Sequence, residues 1–490
     1  MTSGALTQLR FGGADFGSLH AHLFRDDGEE HGAVIAARTV HTDRGLRLLV
    51  RKVFLAEDGH DFVLGRHGYA LTPIFVARTA DYCHDSDCVW LSVHNHGPGD
   101  RVAFSKTDHA SHERLYPALL DLVKRPVGAL VLADRAVAGE IWMPEGDLVE
   151  IDETVVVGDH YAQLYPRPRP LPPGAAETWA RQALLLGPRG QALLRSLKVG
   201  VIGAGGAGSL VLQQLNHLGV GAPVAIDPDR IDVSNLSRIP DSRRWDALAW
   251  LAERRSPFFE RLARRLARHK VCVASRIARH ANPSGHFRGV IGDVCDAETI
   301  RELVDCDFVF LATDTMTSRL LFNILVHQFL IPGIQLGSKI PVAADGTVGR
   351  IHIALRPVTP DSGCLSCSGA ISQRLLHEES LLDDDLRKQR YVEDDGVKEP
   401  SVISFNAIAA GHAVTDFLLY VTDLLDPDTR MAHQMFEPRS RTFGTVGMRK
   451  DPDCAYCGRG ERSTFAGGDV LAMPTRSASL SGRRSEGSLA

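Results

Sequence analysis

Residues 199–209 read VGVIGAGGAGS, an apolar strand that runs straight into Gly203-Ala204-Gly205-Gly206-Ala207-Gly208 and then a helix. This junction constrains the fold more than any other stretch. Its glycines permit a tight turn and close backbone approach, and bare N–H groups at a helix N-terminus attract phosphate. The pattern around it alternates: strand Val199–Ile202, helix Ser209–Leu218, strand Pro223–Ile226 and, later, strand Phe308–Ala312. Alternating strand and helix implies parallel βαβ units and a doubly wound α/β sheet. The glycine spacing alone also fits an NAD enzyme, with Asp227, at the end of the next strand, on a ribose hydroxyl.

The residues beyond the second strand favour a triphosphate. Asp227-Pro-Asp-Arg-Ile-Asp-Val-Ser-Asn-Leu-Ser-Arg238 places acidic, amide and guanidinium groups there in close succession. An NAD site needs no arginine aimed over a phosphate chain, whereas an ATP site does, because the leaving pyrophosphate carries the charge. Lys270 adds a point charge suited to phosphate. Asp314, in Thr313-Asp314-Thr315 after the strand FVFLA, lies at the carboxyl end of a parallel strand and is placed to hold Mg²⁺. Together with Arg181-Gln182, Gly187 and Ser318-Arg319, these strings resemble the ThiF/MoeB/ubiquitin-activating family of adenylating enzymes, from about Trp179 to Gly458. The resemblance implies a Rossmann-like sheet, usually dimerised, that uses ATP to activate the C-terminal glycine of a ubiquitin-like or sulfur-carrier protein as an acyl-adenylate. Carried over by position, the Gly203, Gly205 and Gly206 loop would approach ATP and Asp227 would bind the ribose. Asn235, Arg238 and Lys270 would contact phosphates, with Arg181 reaching them from the other subunit of a homodimer in many members. The long Arg-rich insert Ile239–His269 departs from the family, and its role is not legible.

Two CxxC pairs, Cys364–Cys367 and Cys454–Cys457, fit a closed tetrahedral Cys₄ zinc site of structural type. The same family carries this feature. Members that transfer the acyl group to their own thiol place a cysteine after the first pair, but Ser368–Pro400 holds none. The chain therefore stops at the adenylate, passes the acyl group to a partner such as a ubiquitin-conjugating-like enzyme, or uses a hydroxyl such as Ser401. The remaining cysteines (Cys83, Cys88, Cys272, Cys295, Cys306) lie elsewhere, the last three in or beside predicted elements, where a buried, inert thiol is expected.

The proline run Tyr165–Pro173 cannot continue a helix or a central strand and reads as a linker, 165–173, between residues 1–164 and 174–460. Residues 461–490, rich in Ser, Gly and Arg, read as a disordered tail. The first segment predicts a smaller mixed α/β domain, with Ala33–Val40 and Leu46–Leu55 as paired strands, strand Val89–Val93 and a helix over Glu113–Val123. Within it, residues 89–108 read VWLSVHNHGPGDRVAFSKTD. His94 and His96 alternate on extended chain and so share a face, and Asp108 lies at a helix start. Two imidazoles and a carboxylate give a catalytic zinc three ligands and an open position. Ser105 can donate to an oxyanion, and Glu29 or Glu30 can serve as general base. This pattern resembles the JAB/MPN (JAMM) metalloproteases over about Phe11–Gln163. The resemblance implies cleavage after the C-terminal glycine of ubiquitin-like proteins. It favours Glu30 through Ala33 and Ala37, with Glu29, through Gly32 and Ala36, as the alternative. One extra residue between His96 and Ser105 is absorbed by Gly97-Pro98-Gly99. His84, His109 and His112 read as surface or supporting residues.

A net charge of −5 argues against a nucleic-acid-coating protein. Met1–Phe11 lacks a secretory leader pattern, and polar residues interrupt the apolar stretch Ser401–Val421, so the expectation is a cytoplasmic chain without a membrane span. Both halves then act at one terminus, as an adenylyltransferase joined to a zinc isopeptidase. The alternatives are a non-catalytic scaffold that binds the modifier and an NAD-dependent oxidoreductase.

Overall fold

The computed structural model describes residues 5–65, 68–170, 177–254, 256–381 and 400–476. The chain divides into two compact units. Residues 1–170, 327–330 and 452–472 form the first, and 171–326, 331–451 and 473–490 the second.

The first unit holds β1 (Leu6–Gly12), α1 (Gly13–Leu23), β2 (Gly32–Thr42), β3 (Gly45–Leu55), a small hairpin of β4 (Phe62–Gly65) and β5 (Gly68–Leu71), and α2 (Pro73–Asp85). Next come β6 (Val89–Asn95), α3 (Lys106–Val123), β7 (Val127–Ala133), β8 (Ala136–Trp142), β9 (Leu148–Glu150), β10 (Glu153–Val157) and β11 (Tyr161–Leu164). Nine strands make one sheet in the order β11-β10-β1-β3-β2-β6-β7-β8-β9. The paired strands and the helix before Val123 lie where the hydrophobic pattern predicts. Strand β2 shows why it is central: Ala33, Ile35 and Ala37 enter the core with Phe11, Leu19 and Leu91, while Val34 and Ala36 enter the opposite core with Phe75, Trp90 and Tyr116. A period of two with both faces apolar demands cover on both sides, which α1 gives on one face and α2 with α3 on the other.

The second unit begins with α4 (Ala180–Ser196), β12 (Lys198–Ile202), α5 (Gly206–Leu218), β13 (Ala222–Ile226), α6 (Ala249–Ala252), α7 (Pro257–Leu266) and α8 (Lys270–Ala281). It continues through β14 (Arg288–Val290), α9 (Ala297–Arg301), β15 (Phe308–Leu311), α10 (Met316–Gln328), β16 (Gly333–Lys339), β17 (His352–Val358), α11 (Gln373–Leu381), α12 (Ile403–Val421), β18 (His433–Glu437) and β19 (Thr442–Val446). The sheet runs β14-β13-β12-β15-β16-β17-β18-β19. The first five strands are parallel, the last three antiparallel additions. Chain order reverses between β12 and β15, and at such a switch point the loops leaving the carboxyl ends of the strands part into a crevice. The stretch 401–421 forms α12, packed on α5, and no described helix is long and apolar enough to cross a membrane. Insert 239–269 is folded: it carries α6 and α7, and Asp246 within it is ion-paired to Arg268 and Arg276.

Two expectations from composition are corrected. Residues 165–170 pack on the first unit: the Val102 N–H donates to the Pro166 carbonyl (2.9 Å), and the Arg169 guanidinium lies 3.9 Å over the Tyr165 ring. Proline lacks a donor but keeps its acceptor, so the run can still dock. Residues 171–173 lie outside the described residues. The segment 461–476 is likewise no tail. Phe465 and Ala466 are fully buried, and the Arg51 guanidinium donates to the carbonyls of Gly460, Glu461 and Phe465. Arg459 covers the Phe465 ring and pairs with Asp15 at 2.6 Å. Farther on, Arg476 pairs with Asp293 (2.5 Å) and Asp296 (3.1 Å) in the second unit. Residues 477–490 lie outside the described residues. Phe465→Ala should therefore destabilise the first unit by about 3 kcal/mol or more, read as an earlier urea transition, where a solvated tail would give no change.

Candidate functional sites

The crevice of the second unit is built by backbone clearance. Gly203 has φ +94°, and a methyl group on Gly208 would overlap the Gly203 carbonyl. Only glycine lets β12 turn directly into α5 there. Asp227, leaving β13, is buried at 5% exposure and braces the loop: its Oδ2 accepts from the Ala204 N–H (2.8 Å) and its Oδ1 from the Asp229 N–H (2.8 Å). Burial pushes the Asp227 carboxyl up, while Lys270 (3.7 Å) pulls it the other way. Lys270 opens α8 and also donates to Asp229 at 2.7 Å. Asn235 is buried, its Oδ1 accepting from the Asp232 N–H (3.1 Å), which fixes the turn before Arg238. The half-buried Arg238 side chain crosses the glycine loop, where a methyl on Gly206 would meet its Cδ at 3.3 Å. Asp314 stands exposed on the loop after β15. Thr313 and Thr315 on either side donate to the buried Ser318 hydroxyl at 2.7 and 2.8 Å. Thus Asp227, Asn235, Arg238, Lys270 and Asp314 all lie on loops or helix starts at one end of the parallel strands. Arg181 is exposed on the first turn of α4, with no hydrogen bond or ion pair to the described residues.

In the first unit, β6 carries His94 and α3 begins beyond Ser105. The Ser105 N–H donates to Asp108 Oδ2 (2.6 Å) and its hydroxyl oxygen accepts from the Asp108 N–H (3.2 Å), a capping box that aims the carboxylate at the histidines. His94 Nε2 and His96 Nε2 stand 3.3 Å apart, and each lies 3.5 and 3.6 Å from an Asp108 oxygen. Donor atoms at about 2.0–2.1 Å from a tetrahedral zinc are separated by about 3.3 Å, so these three fit one ion. Burial alone would raise the Asp108 carboxyl, but the His94 imidazole and the Ser105 N–H hold it well below the usual carboxylate range. A neighbouring set fails the same test. His112 Nδ1 lies only 2.6 Å from Glu140 Oε1, too close for two ligands of one ion and right for a shared proton. This buried pair, with His112 stacked on Tyr116 at 4.7 Å, excludes the surface alternative for His112 and leaves the supporting one. His109 is exposed, 3.8 Å from Glu140, and His84 bonds the Val123 carbonyl.

Residues 179–456 match the model of the ThiF family, more than half of the chain. The chain belongs to the ThiF family. It is 25% identical over 276 residues to the SAMP-activating enzyme E1 of Haloferax volcanii, an alignment covering 56% of this chain and 85% of that one. It is 45% identical over 206 residues to a sulfur carrier protein adenylyltransferase of Thermus thermophilus, covering 40% and 69%. A ubiquitin-like modifier-activating enzyme 5 of Gallus gallus is 20% identical over 274 residues, covering 54% and 59%.

The ThiF match spans every crevice residue above, whereas His94, His96 and Asp108 lie outside it. It also covers Cys364, Cys367 and Cys454 and ends one residue before Cys457. In the second unit Cys364 is buried and its Sγ accepts from the Cys367 N–H (3.3 Å). In the first unit Cys454 Sγ accepts from the Tyr456 N–H (3.4 Å), with Cys457 buried. Each pair thus forms a tight turn with N–H groups directed at sulfur. Burial pushes the Cys295 thiol up to about 12, and Cys306 is fully buried, as expected of inert thiols. Cys272 is partly exposed.

Two crevice residues were not foreseen. Glu379 of α11 accepts from the Met316 and Thr317 N–H groups (2.9 Å each), capping α10 behind Asp314. Asn406 of α12 reaches Gly206. Neither position bears a local signal, since tertiary packing alone brings it there. The His112–Glu140 pair gives a checkable consequence. Burial would raise Glu140, but the imidazole holds it below its ordinary value, so its contribution is complete above about pH 4.5 and fades as pH falls further. Glu140→Gln should cost about 2 kcal/mol at pH 7, with the gap to the native chain closing in acid on paired denaturation curves.

Proposed function

We propose that this protein is an ATP-dependent adenylyltransferase acting on the C-terminal glycine of a ubiquitin-like or sulfur-carrier protein, joined to a zinc-dependent isopeptidase of JAB/MPN type. The observation that carries the first part is the switch-point crevice, where Arg238 crosses the glycine loop and Lys270 and Asp314 flank it. The related proteins from Haloferax and Thermus are named for activating such partners, which supports the substrate class. The loop N–H groups and α5 terminus receive phosphate, Asp227 takes the ribose, and Asn235, Arg238 and Lys270 bind the phosphate chain. Asp314 would hold Mg²⁺, which would neutralise charge on the phosphates. A glycine carboxylate oxygen attacks the α-phosphorus, the bond to the bridging oxygen breaks, and pyrophosphate leaves with the electron pair. A homodimer would bring Arg181 to the partner's phosphates. An NAD reading leaves Arg238 and Lys270 without purpose.

The peptidase part rests on the donor separations at His94, His96 and Asp108. Zinc bound there supplies Lewis-acid activation of a peptide carbonyl and of water. Ser105 accepts from the Asp108 N–H and keeps its own proton to donate to the oxyanion. Register favours Glu30 as the base. Gly32 pairs with His94, and continuing that alternation beyond the strand would put Glu30 opposite His96, with Glu29 on the other face; the Glu29 carbonyl accepts from Asn95 Nδ2 (3.3 Å). The two CxxC pairs have the sequence spacing of structural-zinc ligands and would account for a second ion.

Pyrophosphate exchange tests the first part. Exchange should require a β-grasp protein ending in glycine and fall at least a hundredfold in Asp314→Ala; exchange indifferent to either would refute it. For the second, metal analysis should give two zinc per chain and one in His96→Ala. Glu30→Gln should retain both ions yet lose cleavage of a fusion extended beyond the modifier's glycine.

A further inference from the structure

Helix α12 contains an expensive residue. Most of its inward face is small and apolar, with Ala409, Ala410 and Ala413 fully buried, yet Asn406 is buried among them at 4% exposure. A buried amide is destabilising for each hydrogen bond it fails to make. Its Oδ1 accepts from the Ser338 hydroxyl (3.2 Å), at the end of β16, and its Nδ2 donates to the Ser401 hydroxyl oxygen (3.1 Å). These two anchors fix the rotamer. Nδ2 carries two protons, and the second has no acceptor among the described residues.

The nitrogen that carries it lies against the glycine loop. A methyl on Gly206, the first residue of α5, would overlap Asn406 Nδ2 and meet Arg238 Cδ at 3.3 Å. Asn406 therefore stands over the helix N-terminus that receives phosphate, next to the arginine that crosses it. We propose that Asn406 is a phosphate-contacting residue of the nucleotide site, donating its unused N–H to an oxygen of the phosphate chain bound at the glycine loop. This rests on the adenylation reading and adds to it a neutral donor contributed by a helix distant in sequence. Ser338 and Ser401 act as positioning residues that hold the amide in its donating orientation.

The test is Mg·ATP and adenosine binding to the full chain by calorimetry, for the native protein and for Asn406→Asp, Asn406→Ala and Ser338→Ala. Asn406→Asp keeps the shape but replaces the donor with an acceptor facing the phosphates. It should weaken ATP at least tenfold and leave adenosine, which has no phosphate, within twofold. Asn406→Ala should show the same pattern with about a tenfold loss of ATP affinity, the size of one hydrogen bond to a charged group. Ser338→Ala should show a smaller loss confined to ATP. Equal losses for ATP and adenosine would reveal a merely structural amide and overturn the proposal, as would unchanged ATP affinity in Asn406→Asp. A native chain that binds no ATP would overturn the adenylation reading itself, an outcome distinct from the other two.

Discussion

The crevice depends on one steric constraint, the absence of side chains where β12 meets α5. Gly208 packs so close to the Gly203 carbonyl that no β-carbon fits, and Gly203 adopts a positive φ that L side chains resist. Because that corner is tight, the α5 N-terminus opens beside the end of β15, and the Asp314 loop shares a crevice with the glycine loop. Asp227 then does a second job. By accepting from Ala204 and Asp229 it fixes both loops, at the expense of burying a carboxylate that Lys270 must offset. The stability of both loops rests on these two oxygens.

Much of this crevice was legible in the sequence because its residues succeed strand ends in chain order. Asp227 comes directly after β13, Lys270 opens α8 and Asp314 comes after β15, so a correct reading of alternation places them together without knowledge of packing. Asn406 and Glu379 were not legible. Asn406 reads only as a polar interruption in an apolar run, and Glu379 as one charge among several on a short helix. Their roles arise from the packing of α12 against α5 and of α11 against the start of α10, contacts with no signature in local sequence.

The reading of 165–170 and 461–476 failed for a different reason. Composition averages over a window, whereas docking depends on a few atoms. One aromatic ring, Phe465, and one guanidinium, Arg51, suffice to hold a stretch otherwise rich in Ser, Gly and Arg, because the guanidinium has enough donors for three carbonyls at once. In the proline run the carbonyls remain good acceptors, and Pro166 uses its own. A segment poor in apolar residues can be well fastened when its backbone oxygens meet a fork of donors.

The histidines show what geometry adds to motif. Ser and Asp three apart before a helix are as much a capping box as a pair of active-site groups. At Ser105 and Asp108 the cap holds the carboxylate in place while its oxygens lie 3.5 and 3.6 Å from His94 and His96. Separations of 3.3 to 3.6 Å leave room for an ion among three donors; 2.6 Å between His112 and Glu140 leaves room only for a proton. The two clusters, which share α3 through Asp108 and His112, thus differ in geometry. The first has the spacing of ligands. The second is a buried hydrogen-bonded pair whose imidazole stacks on the Tyr116 ring of the same helix.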